Sequence, residues 1–448
     1  MATTKLYRTF GTPTNLDKWT CSVWLKRTKT ASEEFIFEGS SGASDFTDVR
    51  FDASDQIQFS NYSSGYLGKL VTNRVFRDVG AWYHIVAVWD SDNATPGDRM
   101  KLYVNGVEET SFATDTNPSS GEVCDMGSGS ICYVGVHQAS NAYFTGVMAH
   151  LHFCDGQAYA ASDFGSTDAT SGIWVPNSAP SVTYGDNGLF LKFASGAFGT
   201  DSSGNSNTMT VSGTMTATKD NAMNNFCTMN PLDNYFPAST FSNGNNTFVT
   251  GAGIFAPNTA TMGMMSGKWY WEVKCVAGTD GDEYDIGISS VRTVVASDNL
   301  GTFANDYGYN GDSGLIYTAD SGSAYGNTYT TGDIIGIAVD LTNSKLYFSI
   351  NGTWQNSGVP TSGATGTGAV SITAVGSTVN NMYLPAITYW GGGSSVGTYN
   401  TNFGNGYFGT TAVSSPGTNK DDNEEGDFED DVPAGYYALC TNNLGSES

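Results

Sequence analysis

The segment from Gly332 to Gln355 constrains the fold more than any other part of this chain. Apolar residues take every second position from Ile335 to Leu341, and the alternation resumes from Leu346 to Ile350. A period of two is the period of a half-buried β-strand. Short polar residues separate the two runs, and the second run ends at Asn351-Gly352, a pair that readily forms a type I′ hairpin turn. The segment therefore predicts three antiparallel strands joined by two tight turns.

An earlier segment, Trp82 to Glu109, has the same design. It holds two apolar runs, a longer polar excursion and another Asn-Gly pair at Asn105-Gly106. No stretch has a convincing helical period over three turns, and the chain contains 55 glycines and only 14% charged residues. Its 448 residues exceed one ordinary core and fit two domains of about 200 residues each. We therefore predict an all-β protein built from two sandwiches or barrels.

Charge excludes several classes of partner. The chain carries 19 basic and 44 acidic residues, a formal net charge of −25. Nucleic acid is a poor partner, because its binding depends on cations that displace counterions. The second half lacks a basic patch, so docking on an anionic membrane is not expected either.

The N-terminus has no apolar run of a signal peptide, and no stretch reaches the ~20 apolar residues of a membrane span. We expect a soluble chain that is not exported through a standard N-terminal signal.

The cysteines indicate neither a disulfide framework nor a zinc ribbon. Their number is odd, they are scattered, and no C-x-x-C pair occurs. We expect small buried or half-buried thiols in a protein that folds in reducing cytosol. The seven residues are Cys21, Cys124, Cys132, Cys154, Cys227, Cys275 and Cys440.

The first half of the chain resembles the laminin-G-like, concanavalin A-like sandwiches. Three segments carry the resemblance: W-T-x-S-V-W-L-K-R at Trp19–Arg27, W-Y-H-I-V-A-V-W-D at Trp82–Asp90 with K-L-Y-V-N-G after it, and the strand within Tyr143–Gln157. The resemblance implies a first domain over residues 1–218. Family members of this fold serve diverse functions, so the fold alone leaves the activity open.

The second half resembles the SPRY domain, a bent two-sheet sandwich that serves as a binding module. Six motifs occur in order, from S-G-K-W-Y-W-E-V at Ser266–Val273 to N-T-N-F-G at Asn400–Gly404. The resemblance places this domain at residues 247–410. Together the halves are predicted to be two tandem antiparallel β-sandwiches of the jelly-roll, concanavalin A-like kind.

Two further segments complete the predicted domain plan. Residues 219–246 are interpreted as an ordered junction, because they contain apolar anchors that a flexible linker lacks. Residues 411–448 hold the acidic run Asp421–Asp431, expected to be solvated and self-repelling, and then Pro433–Leu444, which has enough apolar content to dock on a surface. The junction anchors are Phe226, Met229, Leu232, Tyr235 and Phe236.

The tandem order and its connectors resemble structural proteins of tailed bacteriophages, particularly marine ones. The connectors are N-N-F-x-T-x-N-P-L-D at Asn224–Asp233, F-S-N-G-N at Phe241–Asn245, and P-x-G-Y-x-A-L-C-T-x-N-L at Pro433–Leu444. The resemblance implies a non-enzymatic virion part, such as a tail fibre, a tail-associated adhesin or a head appendage, assembled in the host cytoplasm. Its implied partners are a host-surface glycan or protein, other virion proteins, and further copies of itself, with a trimer favoured. A third, less favoured hypothesis is a cellular adaptor protein that uses its SPRY domain in protein turnover.

Aromatic residues in polar loops of the second domain are the candidate ligand-binding residues. An exposed ring beside Asn, Asp or Gly suits sugar rings or a protein partner. The alternative is that several of them fold inward and cap the ends of the sandwich. The candidates are Tyr307, Tyr309, Tyr317, Tyr325, Tyr329, Trp354, Tyr389 and Trp390.

A catalytic reading depends on paired carboxylates. Glycosidases of the concanavalin A-like kind carry E-x-D-x-E on one strand, which places the carboxylates on one face. The chain has this spacing at Glu425-Asp427-Glu429, but within the acidic tail, where a solvated charge run is expected. The first domain shows no equivalent pair. We therefore predict that the chain is not an enzyme. The alternative function is a polysaccharide depolymerase that acts through the concave face of the first domain.

Metal sites are not predicted, although calcium stays open as a cofactor. His150 and His152 alternate on one predicted strand and could supply two ligands, but no third ligand follows from spacing. Three Asp/Asn/Gly loops could offer oxygen ligands to calcium, yet such clusters are also ordinary turn formers. These loops are Asp90–Asn93, Asp201–Asn205 and Asp280–Glu283.

Overall fold

The computed structural model describes residues 4–127, 129–234, 239–253, 257–278, 283–290, 298–390 and 395–444. The described chain is almost entirely β-structure in antiparallel sheets, as the sequence predicts. It divides into two compact units: a first unit of residues 1–217 and 221–223, and a second unit of residues 218–220 and 224–448. Within the described residues, no helix has the length and apolar character needed to cross a membrane.

The first unit is a two-sheet sandwich. One sheet has eight strands in the order β10-β6-β5-β4-β3-β11-β1-β16, the other has six in the order β15-β12-β2-β7-β8-β9, and β13 and β14 form a separate hairpin. The strands are β1 Lys5–Thr9, β2 Lys18–Arg27, β3 Glu34–Gly42, β4 Asp45–Phe51, β5 Gln56–Ser63, β6 Tyr66–Val75, β7 Tyr83–Asp90, β8 Met100–Val104, β9 Val107–Glu108, β10 Phe112–Thr116, β11 Ile131–Val134, β12 Gly146–Asp155, β13 Gly165–Thr167, β14 Trp174–Pro176, β15 Leu189–Leu191 and β16 Thr210–Ser212.

Successive side chains of each strand point to opposite faces of its sheet, and those on the inner faces form the core of this unit. In β7, Ile85, Ala87 and Trp89 enter the core between the sheets, while Val86 and Val88 face the opposite side. That opposite side of the six-stranded sheet is covered by the segment that follows β12, whose Phe164 and neighbouring residues pack on the two valines. The outward-facing side chains of the eight-stranded sheet form the other outer surface of this unit.

The second unit is also built on two large sheets. The larger follows the path β17-β18-β30-β20-β25-β26-β27, with β28 on β26 and β35 on β20, and the smaller has the order β19-β29-β21-β22-β23-β24. The strands are β17 Thr240–Ser242, β18 Thr247–Val249, β19 Asn258–Thr259, β20 Lys268–Ala277, β21 Glu283–Ser289, β22 Asp306–Asn310, β23 Leu315–Thr318, β24 Ser321–Ala324, β25 Ile334–Asp340, β26 Lys345–Ile350, β27 Thr353–Trp354, β28 Val370–Ser371, β29 Leu384–Trp390, β30 Thr398–Asn402, β31 Tyr407–Phe408, β32 Thr411–Ala412, β33 Asn419–Lys420, β34 Asp427–Phe428 and β35 Tyr437–Ala438.

Short 3-10 helices occupy some of the connections between strands. In the first unit they are Pro96–Asp98 and Ala161–Asp163, and in the second unit Gln355–Ser357, Pro360–Thr365 and Val375–Ser377.

The three strands predicted between Gly332 and Gln355 are β25, β26 and β27. Ile335 pairs with Ile350, and Ser349 pairs with Trp354. Asn351 and Gly352 have φ angles of 47° and 75°, as both central positions of a type I′ turn require. The prediction for this segment is confirmed.

The acidic C-terminal run is folded, which corrects the expectation of a solvated segment. Asp421 and Asp427 are buried, and Asp421 accepts hydrogen bonds from the backbone N–H groups of Glu425 (2.8 Å) and Ala438 (2.9 Å). Asp427 pairs with Lys219 at 3.1 Å. Repulsion between the carboxylates is overcome because backbone N–H groups donate hydrogen bonds to Asp421 and a lysine pairs with Asp427. These interactions depend on tertiary contacts.

The end of the chain docks on the second unit. β35 runs parallel to β20, with Tyr437 opposite Trp269. Phe428, Tyr436 and Ala438 form a second apolar cluster with Tyr270 on the face of the larger sheet that points away from the main core. Residues 426–440 therefore act as a covering layer of this sheet.

The junction is anchored by some of the predicted residues. Phe226 and Met229 are buried in the second unit, and Phe226 lies in the same cluster as Phe428. Leu232 is 50% exposed, so it is not an anchor. Tyr235 and Phe236 lie outside the described residues.

Candidate functional site

Four of the eight candidate aromatic residues of the second unit are buried, which corrects the expectation of exposed rings. Tyr307, Tyr309, Tyr329 and Tyr389 are exposed by only 5%, 0%, 2% and 1%. The hydroxyl group of Tyr329 donates to the carbonyl of Tyr309 at 2.7 Å, and that of Tyr309 donates to the carbonyl of Asn327. Because each of the four rings fills the core, these residues build the sandwich.

The other four candidates are half-buried and do not form one site. Tyr325 packs against the main core, with its ring centre 5.4 Å from that of Tyr309. Trp354 joins the cluster on the opposite face of the larger sheet, 6.4 Å from Tyr270. Tyr317 and Trp390 lie on β23 and at the end of β29. Ligand binding by these half-buried residues stays a prediction.

The most exposed aromatic side chains of the described residues lie in the first unit. Tyr66 and Tyr7 are 43% and 36% exposed. Both lie on the outer face of the eight-stranded sheet, because Tyr7 is opposite Tyr133 and Tyr66 is opposite Tyr62, while the intervening core residues point the other way. We call this surface, defined by Tyr7, Tyr62, Tyr66 and Tyr133, the outer tyrosine face.

A lysine lies against the ring at each end of the outer tyrosine face. The Nζ of Lys69 is 3.9 Å from the centre of the Tyr66 ring. The Nζ of Lys5 is 5.7 Å from the centres of the Tyr7 and Tyr133 rings and donates to the Ser140 hydroxyl at 2.9 Å. Ammonium groups at such distances are attracted to the negative face of the ring. Each end therefore offers an aromatic plate beside a positive charge.

The middle of this face holds two acidic side chains that sequence reasoning missed. Glu38 on β3 lies directly opposite Asp48 on β4, so the two carboxyl groups leave the same side of the sheet. Asp48 is bound by the Nη1 of Arg50 at 2.9 Å and by the Ser60 hydroxyl. The pair escaped detection because its members belong to different strands, and only the register of β3 and β4 brings them together.

Glu38 and Asp48 are closed to solvent. Both are 0% exposed. Glu38 accepts the backbone N–H of Gln138 through Oε1 at 3.1 Å, while its Oε2 has no hydrogen-bond partner and lies 4.0 Å from the Nε2 of His137. Burial, with a further contribution from the charge of Asp48, raises the pKa of Glu38 to about 8. The loop that begins at His137 thus covers a carboxyl group that is protonated at neutral pH.

A second buried polar group, Ser22 with His84, has the wrong proton arrangement for nucleophilic catalysis. The Ser22 hydroxyl lies 2.8 Å from Nε2 of His84, and the indole N–H of Trp174 donates to Nδ1 at 2.9 Å. Because an indole nitrogen only donates, Nδ1 is an acceptor and the neutral ring carries its proton on Nε2. Burial lowers the pKa of His84 to about 3. The ring therefore donates to Ser22 and cannot take its proton.

His150 and His152 serve the packing of β12. A bulge between Ala149 and His152, with a φ angle of 48° at His150, replaces simple alternation. His152 is 1% exposed, stacks on Phe190 at 4.0 Å and bonds the Tyr184 hydroxyl at 2.9 Å. Within the described ranges, no three His, Cys, Asp or Glu side chains are grouped as a metal site.

The two calcium candidates that the structure describes act as turns. Asp201 accepts the backbone N–H groups of Phe190 (2.9 Å), Ser203 (2.8 Å) and Asn207 (2.8 Å). In the other loop, the backbone N–H of Asn93 bonds the carbonyl of Asp90 at 3.0 Å. The carboxylate oxygens of Asp201 are therefore occupied by N–H donors, and the Asp90 carboxylate lies 3.4 Å from the Nζ of Lys18. Residues 280–282 of the third loop lie outside the described part of the chain.

The tail residues with E-x-D-x-E spacing are not an active site. Glu425 receives the side-chain amides of Asn224 (2.8 Å) and Asn442 (3.0 Å). Glu429 receives the backbone N–H of Ser414 at 2.6 Å. With Asp427 held by Lys219, all three carboxylates stabilise the folded tail.

A model of a known protein family matches a segment of each unit. Residues 5–162 match the family model described as the concanavalin A-like lectin/glucanases superfamily, of the laminin-G type, and residues 268–382 match the SPRY domain. The chain therefore contains a laminin-G-like, concanavalin A-like domain and a SPRY domain. Both assignments agree with the two sandwiches described above.

Similar proteins align with a small part of the chain. Ran-binding protein 9 of Danio rerio is 39% identical over 88 residues, which are 19% of this chain and 14% of that protein. Ran-binding protein 9 of Homo sapiens is 40% identical over 88 residues, 19% of this chain and 12% of that protein. The match thus spans well under a fifth of the length of these relatives.

Among solved structures, the SPRY domain of human HERC1 aligns with 39% of this chain and 96% of its own, at 18% identity and a TM-score of 0.31. A heptameric pentraxin of Limulus polyphemus aligns with 40% of this chain and 87% of its own, at 16% identity and a TM-score of 0.29.

Proposed function

We propose that this chain is a non-enzymatic binding protein of a virion, acting as a tail fibre, a tail-associated adhesin or a head appendage. Its ligand is a host-surface glycan or protein, or a neighbouring virion subunit. The outer tyrosine face is the observation that carries the proposal: Tyr66 and Tyr7 are 43% and 36% exposed on one sheet surface. Exposed aromatic rings beside hydrogen-bonding groups suit both sugars and protein surfaces.

Two other observations support this proposal. The connectors at Asn224–Asp233 and Pro433–Leu444 resemble those of tailed-phage structural proteins, which suggests the virion setting. Proteins named Ran-binding protein 9 are similar to 19% of this chain, and by analogy we propose a protein partner. Weak binding at each site, of mM to µM affinity, would be raised by display of many copies on a particle.

The test is a binding assay with the full chain displayed as multimers on beads. We expect the beads to bind host cells and envelope fractions, and Tyr66→Ala or Tyr7→Ala to weaken that binding. Val107→Ala is a matched control, since Val107 is 69% exposed on the edge strand β9. Absence of binding to cells and envelopes would reject the adhesin role and favour a scaffold role, which a cryo-EM map of intact particles would locate.

The Glu38–Asp48 pair favours a second candidate, a polysaccharide depolymerase. The two carboxyl groups lie opposite each other, Glu38 is held protonated by burial, and Asp48 faces Arg50. A carboxylic acid with a raised pKa opposite a second carboxyl group is an arrangement used in glycoside hydrolysis. Burial also raises the pKa of Asp48, against the opposing effect of Arg50. Substrate access would require the loop that begins at His137 to open.

The depolymerase candidate is tested by the release of reducing ends from host polysaccharide. Glu38→Gln and Asp48→Asn should each abolish release. Activity that survives both substitutions would remove this candidate, and so would the absence of release by the unaltered chain.

A further inference from the structure

We propose that the outer tyrosine face binds an anionic polysaccharide through two subsites, one formed by Tyr66 with Lys69 and the other by Tyr7 and Tyr133 with Lys5. This inference rests on the proposed binding function and adds the chemical class of the ligand. Both subsites would bind the same kind of sugar unit: its ring stacks on tyrosine, and its carboxylate or sulfate lies within reach of a lysine ammonium group.

The first subsite is a pre-organised aromatic corner. The ring of Tyr62 meets Tyr66 at 5.2 Å with an interplanar angle of 77°, and Phe46 stacks on Tyr62 at 5.2 Å. These contacts hold Tyr66 in place although it is 43% exposed. A ring already fixed in one orientation loses little conformational entropy when a sugar stacks on it.

The second subsite repeats the first with different strands. The rings of Tyr7 and Tyr133 lie 6.5 Å apart, and Lys5 lies against both and is held by Ser140. Both ends of the face therefore combine tyrosine rings with one lysine. We interpret this repetition as a sign that the two ends bind the same kind of ligand.

The charge of the two lysines indicates an anionic ligand. Neither Lys5 nor Lys69 forms an ion pair with a carboxylate of the described residues, whereas Lys18 and Lys101 of the same unit pair with Asp90 and Asp98. In a chain with 44 acidic and 19 basic residues, an ammonium group without an acidic partner is available to a ligand anion. Two of the acidic side chains between the subsites, Glu38 and Asp48, are 0% exposed. A third, Glu33, has a side chain that is 48% exposed and is paired with Arg50 at 3.2 Å.

Long-range repulsion does not prevent this binding. The net charge of −25 acts over distances that salt screens, since the Debye length is about 8 Å at physiological ionic strength. Contacts between an ammonium group and a ligand anion are shorter than that. Binding should therefore be measured at about 0.15 M salt.

The spacing of the subsites predicts a dependence on chain length. β6 and β1 are separated by five strand-to-strand steps, which correspond to about 24 Å at ~4.8 Å per step. A long polysaccharide can contact both subsites, and a disaccharide only one. Engagement of both raises the apparent affinity without any new contact.

The experiment titrates the full chain with three polymers: alginate, which carries carboxylates, dextran sulfate, which carries sulfates, and neutral dextran. We expect binding to alginate or dextran sulfate, with the preferred polymer identifying the anionic group, and about tenfold weaker or no binding to dextran. Lys69→Met and Lys5→Met should each lower the affinity for the preferred polymer about fivefold, and the double variant more. Lys69→Arg should keep most of it.

Lys29→Met is the matched control, because Lys29 is an exposed lysine outside the strands of this face. It should leave the affinity unchanged, and all variants should keep the thermal midpoint of the unaltered chain. Equal binding to dextran and to the anionic polymers, or affinity that Lys5→Met and Lys69→Met do not change, would overturn the inference. If the chain binds host cells and these lysine variants bind them equally well, the inference fails while the proposed function stands. If the chain binds no cells or envelopes, the adhesin function itself fails.

Discussion

Arg27 shows how a single charged residue organises the first unit. Its guanidinium is fully buried at the end of β2 and bonds Glu34 (Nη2 to Oε2, 3.0 Å), Asp55 (Nη1 to Oδ1, 3.1 Å) and the carbonyl of Phe76 (2.7 Å). The ring of Phe51 lies 4.1 Å from its central carbon. From the sequence, an arginine at a strand end looks like a surface residue. Its role depends on three segments that meet only in the folded chain.

Replacing Arg27 should strongly destabilise the first unit. Arg27→Met leaves Glu34 and Asp55 buried without their cation, and breaking such a pair costs about 3–5 kcal/mol of unfolding free energy. The measurement is urea denaturation of the full chain, followed by tryptophan fluorescence. Arg77→Met is the control, because the Arg77 side chain is 61% exposed where it pairs with Asp55, and exposed pairs contribute less than about 1 kcal/mol. Equal losses in the two variants would contradict the structural role.

Glu38 should make the stability of the first unit depend on pH. Its pKa in the folded state is raised to about 8, against about 4.3 in an unfolded chain. The folded state then holds a proton that the unfolded state releases, so the contribution of Glu38 is complete below about pH 4.3 and is lost as pH rises through about 8.

The test compares the unaltered chain with Glu38→Gln, which cannot ionise. Relative to this variant, the unaltered chain should lose unfolding free energy on the order of 3 kcal/mol between about pH 5 and pH 8. Urea denaturation at several pH values provides the measurement. A difference between the two proteins that stays constant over this range would show that Glu38 is ionised in the folded state.

At the scale of elements, the C-terminal segment is a structural layer of the SPRY domain. Phe428 is fully buried, and its ring meets that of Tyr270 at 4.9 Å. The backbone N–H groups of Glu429 and Asp430 donate to Glu272 on β20 at 3.0 and 2.8 Å. One face of the larger sheet is therefore covered by the chain itself, and a ligand of the second unit must approach elsewhere.

Truncating Phe428 should destabilise the second unit. Phe428→Ala removes a fully buried ring and leaves a cavity, which costs about 3–5 kcal/mol. Leu444→Ala is a suitable comparison, since Leu444 is 53% exposed and exposed positions usually change stability by less than about 0.5 kcal/mol. The readouts are urea denaturation and the rate of limited proteolysis within residues 411–444. If both variants are as stable as the unaltered chain, the tail is only loosely attached.

The two Asn-Gly turns, predicted alike from sequence, differ in their surroundings. Both glycines have positive φ angles, 81° at Gly106 and 75° at Gly352. A Cβ atom at Gly106 would lie 2.7 Å from the ring of Trp174, whereas at Gly352 its nearest neighbour is the carboxylate of Asp430 at 3.1 Å. Local sequence thus predicts the turn type, and only the fold shows that Gly106 also makes room for a tryptophan.

At the scale of the whole molecule, every cysteine is an inaccessible thiol. All seven are free and buried, which confirms the expectation that they are small core residues. Burial raises the pKa of Cys124 to about 12 and that of Cys440 to about 12. A buried thiol with a raised pKa is both unreachable and scarcely ionised at neutral pH.

The folded chain should therefore react with fewer than about one equivalent of a thiol reagent such as DTNB at pH 8, because only unfolding exposes thiolates. In denaturant, seven equivalents should react, matching the seven cysteines of the sequence. Absorbance of the released thionitrobenzoate gives the count. Two or more thiols that react quickly in the native protein would contradict the packing described for the two cores.

The candidate binding site was less predictable than the fold. The loop aromatics of the second unit satisfy a local rule for exposed rings, yet Tyr309 is 0% exposed because its ring fills space between strands that are far apart in sequence. Tyr66 and Tyr7 carry no local signal that separates them from other tyrosines. Their exposure follows from the face of the sheet on which β6 and β1 place them.

The sequence by itself determined that this protein is all-β, that it has two sandwich units and that tight turns join its strands. These properties follow from period-two alternation and turn chemistry, which act between residues close together in the chain. Only the tertiary structure decided which rings are exposed, that Glu38 lies opposite Asp48, and that the acidic tail is folded. Burial and pairing depend on strand order and register, which bring together residues distant in sequence and which no local pattern encodes.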